Sequence, residues 1–306
     1  MEDFHSVREL VEEAEARGTT IAEVILEFQM ATYGETREVV VQRMRDNLTV
    51  MRESVERGLK QNERSRSGLV GGNANKIREA LAKGTRRDGG VLITGGPALR
   101  AAMRAMAVNE VNACMGRIVA APTAGASGTL PGVLLTVAEE VGASDEDIVM
   151  ALFAASAVGI VIMEKASISG AAGGCQAETG SAAAMAAVAG VQLAGGTPRQ
   201  AAHAGAIALQ NMLGLVCDPV AGLVEIPCVK RNAGASGQAM LAIDLVLAGV
   251  ENVIPFDEVI VAMGQIGRAM HESLRETAQG GLATTPTAKA IVRRLQTELP
   301  KFVEEY

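Results

Sequence analysis

Apolar positions recur along this chain at three- and four-residue intervals, and strict apolar/polar alternation is nearly absent, so helices are expected throughout. Val7, Leu10, Val11 and Ala14 mark a first stripe. Thr20 followed by Glu23 reads as a capping box, and Ile21, Val24, Ile25 and Phe28 continue from it to a stop at Gly34. Val40, Met44, Leu48, Met51, Val55 and Leu59 line a longer helix. Its remaining positions are rich in charge, with Glu53 and Arg57 one turn apart, as a solvated face requires. The stretch SRSGLVGGNANK (65–76) interrupts the pattern and fits either a connector or a loop near a site. Residues 1–64 are thus expected to form a helical support layer. Residues 65–306 form a larger helical domain, either separate from it or packed with it as one.

Beyond the break the same period continues. A short helix runs from Lys76 to Lys83, followed by a turn at 86–90. Pro97 opens a helix carrying Leu99, Met103, Met106 and Val111, which ends around Cys114–Gly116. Ile118 and Val119 suggest a short extended piece, and Pro122 to Pro131 a Gly/Ser/Thr-rich loop that runs into a helix near Pro131. Ser144 and Asp147 announce the uncharged run IVMALFAASAVGIVIM. A membrane span needs about 18–20 residues, and a run this short and this rich in Ala, Gly and Ser is better placed at the centre of a bundle. Further helices are expected at 179–194, from Thr197-Pro198 to Leu213, at 232–247, after Pro255, and from Pro286 to Leu299. The class is all-α: a multi-helix bundle with small-residue-rich central helices and Gly-rich loops.

Composition supports this and removes some functions. Hydrophobic residues make up 48% and charged residues 21%, which is a globular balance. Aromatics are only 2%, so the core must come from aliphatic residues and 14 Met, with 34 Gly allowing close helix approach. A net charge of −7 argues against nucleic acid, whose phosphates need a basic face. MEDFHSVREL lacks the basic and apolar parts of a secretory signal, and 4 Cys do not make a disulfide framework. A cytoplasmic protein with reduced thiols and no membrane partner is expected.

Those thiols carry the candidate chemistry. Cys175 follows Gly173-Gly174, Cys217 precedes Asp218-Pro219, and Cys228 follows Pro227, so each sits in a loop beside a helix breaker. From their spacing alone they are either a shared metal site or separate buried hydrophobes, since metal motifs are usually tighter.

The blocks SISGAAGGCQAETGSA, NMLGLVCDPVAGLVEIPCVKRNA, AAPTAGASGTLPG and LRETAQGGLA closely resemble the α chain of iron–sulfur-dependent L-serine dehydratase (L-serine ammonia-lyase). The likeness runs from AEVILEFQM to about Thr287. It implies an enzyme that converts L-serine to pyruvate and ammonia with a 4Fe–4S cluster and without pyridoxal phosphate. It assigns Cys175, Cys217 and Cys228 as the three ligands, leaving one iron open as a Lewis acid for the serine hydroxyl. The larger domain is then the catalytic one. Cys114 falls outside the ligand pattern and reads as a structural thiol. The Ser-Ser-His-Thr stretch typical of the family's β chain is absent here, which implies a β-chain partner in a homo- or hetero-oligomer.

The substrate carboxylate needs donors. Candidates are the loop at Thr123, Ala124, Gly125 and Ser127, with its backbone N–H groups, and Lys230 or Arg231 beside the third cysteine. For the two cations, charge compensation of the cluster is the alternative role. Glu178 is a candidate acid/base or a helix cap. His5, His203 and His271 lie in no family block, so the base is expected on the β chain. Two rival functions remain: an L-cysteine desulfidase-like iron–sulfur lyase, and a helical structural or binding subunit without catalysis.

Overall fold

The computed structural model describes residues 4–60, 63–85 and 89–298. Among these, thirteen α-helices and four shorter helical turns follow one another, and the one β contact is an isolated bridge between Cys217 and Arg275. The all-α expectation holds. The first three helices are α1 (Val7–Ala16), α2 (Ile21–Tyr33) and α3 (Arg37–Lys60). After it come α4 (Asn73–Lys83), α5 (Gly96–Ala113), α6 (Thr129–Val141) and α7 (Asp145–Lys165). The four-residue α8 (Gly170–Gly173) leads into α9 (Ser181–Leu193) and α10 (Pro198–Gln210). The last three are α11 (Cys228–Leu247), α12 (Phe256–Ala269) and α13 (Pro286–Glu298).

The stripes face where their period placed them. Val7, Leu10, Val11 and Ala14 are buried, as are Val40, Leu48, Met51 and Val55 on α3. At α2 the cap is only half of a box. Thr20 accepts the Glu23 N–H, but the Glu23 carboxylate turns to Arg37 at 2.8 Å and joins α2 to α3. Full capping boxes occur at Ser144–Asp147 and Thr197–Gln200. Arg57, on the charged face with Glu53, reaches Glu63 at 2.8 Å. Ile118 and Val119 find no ladder partner among the described residues. Of the turn at 86–90, residues 86–88 lie outside the described residues.

The centre of the bundle is α9. Every residue from Ser181 to Val191 is buried, and the helix is walled by α7, α10, α6 and α11. Small side chains are what let these axes close up. A Cβ on Gly190 would come within 2.3 Å of Ile243 on α11, and one on Gly132 within 2.7 Å of the Ala101 carbonyl on α5. The long apolar α7 has the length and hydropathy of a membrane span, but 67% of its apolar window is buried inside the bundle. It is the buried helix that its Ala and Gly content suggested.

Candidate active site

The segments bearing the three cysteines meet at one end of α9. Gly174 stops α8 with φ +76°, and the chain re-enters through Cys175 and a π-helical turn, Gln176–Gly180, that runs directly into α9. Such wide turns inside helices recur at functional sites because they redirect side chains. Gln176, fully buried, fastens this turn. Its N–H donates to Leu215 O at 2.9 Å, its Oε1 accepts the Gly214 N–H, and its Nε2 donates to Gly173 O and Met263 O. The Cys217 segment is held from the other side: Cys217 N–H donates to Leu274 O, and Glu276 N–H to Cys217 O at 2.7 Å.

Two of the cysteines are not in loops. Cys175 sits at the mouth of the π-helical turn, and Cys228 is the first residue of α11, which starts four residues earlier than its apolar period shows. Pro227 ends the loop there, and Lys230 and Arg231 fall in the first turn, where charge hides the period. α6 likewise begins at Thr129, ahead of Pro131, and α4 at Asn73. The stretch before α4 does more than connect. Ser65 and Ser67 both donate to the buried Glu225 carboxylate, at 2.7 and 2.6 Å, and so brace the loop that leads to Cys228.

Electrostatically the three thiols form one group. Burial pushes Cys228 up to about 12, and the neighbouring Cys175 and Glu178 add to the effect. Burial also carries Cys217 far above the usual thiol range, with Cys175, Glu178, Glu276 and Cys228 all adding to it. Cys175 is raised by burial too, opposed by the Thr179 hydroxyl 2.9 Å away and by the Arg231 guanidinium. Arg231 is the cation of the site. It pairs with the buried Asp218 at 2.8 Å and donates to Val216 O at 2.7 Å, while Asp218 in turn accepts the Leu282 N–H. Its fork is therefore already engaged by Asp218 and Val216. Lys230 is exposed and pairs with none of these groups.

Glu178 stands beside the sulfurs. Thr123 Oγ1 donates to its Oε1 at 2.8 Å, and burial raises its pKa, with Glu276 adding to the effect. A side chain at Gly170 would fall 2.9 Å from Glu178 Oε2 and 3.0 Å from the Cys217 sulfur, so this glycine keeps a cradle open. Ligand atoms of Glu178, Cys217 and Glu276 lie within 4.8 Å of one another. Two buried thiols and a half-buried one, with Cys217 and Cys228 raised further by neighbouring thiols and with carboxylates alongside, fit a metal centre, because a bound cation offsets the charge that disfavours their ionisation. Soft sulfur donors favour zinc or iron–sulfur chemistry over harder ions.

The Thr123–Gly128 loop does reach the site, with an unexpected division of labour. The N–H groups of Ala126 and Ser127 are taken within the loop, and those of Gly128 and Thr129 by Asn232 Oδ1. Those of Ala124 and Gly125 have no acceptor among the described residues, and Gly125 faces the Glu178 carboxylate. Ser127 Oγ is buried and has no partner among the described residues. Cys114 lies apart, at the end of α5 near Arg57, Glu63 and Glu110. His203 accepts the Asn252 N–H, His271 bonds Ser273, and His5 approaches Glu164.

Sequence reasoning missed Glu276. It sits in the Gly/Thr-rich stretch after Arg275 with φ +65°, and Ala278 follows at +55°. Left-handed backbone at such residues is strained and recurs at functional sites. Only the LRETAQGGLA block hinted at it.

A helical bundle that gathers three thiols and a carboxylate at one end of its central helix fits an enzyme with a metal cofactor. The profile described as "Serine dehydratase alpha chain" matches residues 16–283. The chain is 49% identical over 292 residues to the probable L-serine dehydratase, alpha chain, of Bacillus subtilis, covering 95% of each. With the L-serine dehydratase, alpha chain, of Peptoniphilus asaccharolyticus it shares 41% over 290 residues, 95% of this chain and 97% of that one. With the L-serine dehydratase of Streptomyces coelicolor it shares 40% over 288 residues, 92% of this chain but 60% of that longer one. The chain belongs to the serine dehydratase alpha chain family.

Proposed function

We propose that this chain is the alpha subunit of an L-serine ammonia-lyase, which converts L-serine to pyruvate and ammonia in complex with a beta chain. The observation that carries the reading is the grouping of Cys175, Cys217 and Cys228 beside Glu178 and the Thr123–Gly125 turn. Those three sulfurs are the residues that would hold a 4Fe–4S cluster, and Cys114 takes no part. When bound, the cluster supplies a Lewis-acid iron for the hydroxyl that must depart.

The chain's own residues do the rest. Arg231, locked by Asp218 and Val216, offsets thiolate charge and holds the Cys217 segment against α11. The N–H groups of Ala124 and Gly125 take the substrate carboxylate, as paired backbone donors do in anion-binding turns. Glu178 is oriented by Thr123, and its burial favours the protonated form, so it can give a proton to the leaving hydroxyl. The base that removes the Cα proton comes from the beta chain. Loss of that proton and of the hydroxide, one water in all, turns serine into 2-aminoacrylate. Its imine tautomer hydrolyses to pyruvate and ammonia.

The test is anaerobic mixing of this chain with its beta partner and L-serine, following pyruvate and the iron–sulfur absorption together. Pyruvate formation with a serine-dependent spectral change supports the reading. Sulfide release from L-cysteine in place of pyruvate from L-serine would replace it with a desulfidase. Full turnover by the alpha chain alone would remove the partner's base from the account.

A further inference from the structure

One side chain joins the cysteine helix to the substrate turn. Asn232, in the second turn of α11, is fully buried and uses its whole amide. Its Nδ2 donates to Cys228 O at 3.0 Å and to Gly125 O at 2.7 Å. Its Oδ1 accepts from Gly128 N, Thr129 N and Thr129 Oγ1 at 3.2, 3.2 and 3.0 Å. A second fully buried amide, Asn109 on α5, donates to the same Gly125 carbonyl at 3.1 Å. Asn112 Nδ2 approaches the preceding carbonyl, Ala124 O, at 3.4 Å.

The consequence follows from peptide geometry. In a trans peptide the N–H points opposite to its carbonyl. Drawing Ala124 O toward Asn112 therefore turns the Gly125 N–H the other way, away from the asparagine. Anchoring Gly125 O with two amides fixes the next peptide plane. The turn is thus held in register with Cys228 by a single residue that reaches both.

We propose that Asn232 and Asn109 are positioning residues for the serine reaction: they set where the substrate carboxylate, on the Ala124 and Gly125 amides, lies relative to the cysteine-lined centre. This rests on the function proposed above. A displacement of about 1 Å at a reacting centre is enough to change rates by orders of magnitude, so residues that touch no substrate can control its alignment.

The test uses Asn232→Asp, which keeps the acceptor and loses both amide donors, and Asn109→Ala, which loosens only Gly125. Both are read in the full chain. With the beta partner and L-serine, each variant raises KM about tenfold or more, with a smaller fall in kcat. In the metal-free chain, iodoacetamide labels Cys228 several-fold faster in Asn232→Asp than in wild type, and at wild-type rate in Asn109→Ala, with Cys175 unaltered in both. A merely structural role would lower the melting temperature and leave KM and Cys228 labelling unchanged, which overturns the proposal. If Asn232→Asp does not fold, an unchanged KM in folded Asn109→Ala overturns it alone. If wild type with its partner makes no pyruvate, the function fails. The labelling then still decides the coupling, and equal Cys228 rates in wild type and Asn232→Asp refute it.

Discussion

The two ends of α9 are built on different physics. Along its length the helix is Ala, Gly and Val packed against neighbours of the same kind, with every residue from Ser181 to Val191 buried. At its N-terminal end thiols, a carboxylate and a guanidinium are buried or half-buried instead, with Cys175 bonded to Thr179, Glu178 to Thr123 and Arg231 to Asp218 and Val216. The first region is stabilised by area and shape, at about 25 cal/mol per Å² of apolar surface removed from water. The second opposes folding unless every polar group finds a partner. Substitutions in the first should therefore change stability and spare chemistry, and those in the second should change chemistry, with stability lost as well where a buried charge is left unpaired.

The largest effect is expected at the cysteines. Cys217→Ser should remove bound iron and abolish pyruvate formation, with the far-ultraviolet dichroism of the wild type retained. Metal analysis beside the activity assay checks this. A serine variant that keeps full iron and activity would show that Cys217 is only a buried hydrophobe.

Next is the Arg231–Asp218 pair. Breaking a buried ion pair by removing one partner costs about 3–5 kcal/mol, because the other charge is left uncompensated. Asp218→Ala should thus lower the denaturant midpoint sharply and weaken metal retention, since Leu282 N–H also loses its acceptor. Equilibrium unfolding with and without metal separates the two losses. Arg231→Lys should not rescue function, because a single ammonium cannot reproduce the fork that spans Asp218 and Val216.

A smaller and purely structural effect is expected in the other region. Gly190→Ala drives a methyl into Ile243, for which overpacking costs of about 1–3 kcal/mol are usual. The melting temperature should fall while KM for serine and the iron content of the folded protein stay as in wild type. A changed KM would mean that the core and the site are not separable. Least of all is expected from Arg52→Ala on the outer layer. Its pairing with Asp145 at 2.6 Å is solvent-exposed, so thermal melting should scarcely move.

The same division explains what could be read in the sequence. Helix stripes such as Val7–Ala14 were legible because burial on one face of a helix leaves a period in the chain. The cysteine blocks and the Thr123–Gly128 loop were legible through family resemblance. Asn109 and Asn232 were not, because a buried amide inside an apolar helix looks like any polar position until its partners, far away in sequence, are known. Glu276 and the Ser65–Glu225 contact were hidden for the same reason. The start of α11 was missed because Cys228 through Arg231 break the apolar period exactly where the site needs a thiol and a cation in one turn.

The most direct measurement is the metal and acid-labile sulfide content of the wild-type chain purified without oxygen, beside Cys217→Ser. The account predicts iron and sulfide together in the wild type, with an absorption that L-serine perturbs, and their loss in the variant. A colourless wild type, or one that holds zinc and no sulfide, would contradict it.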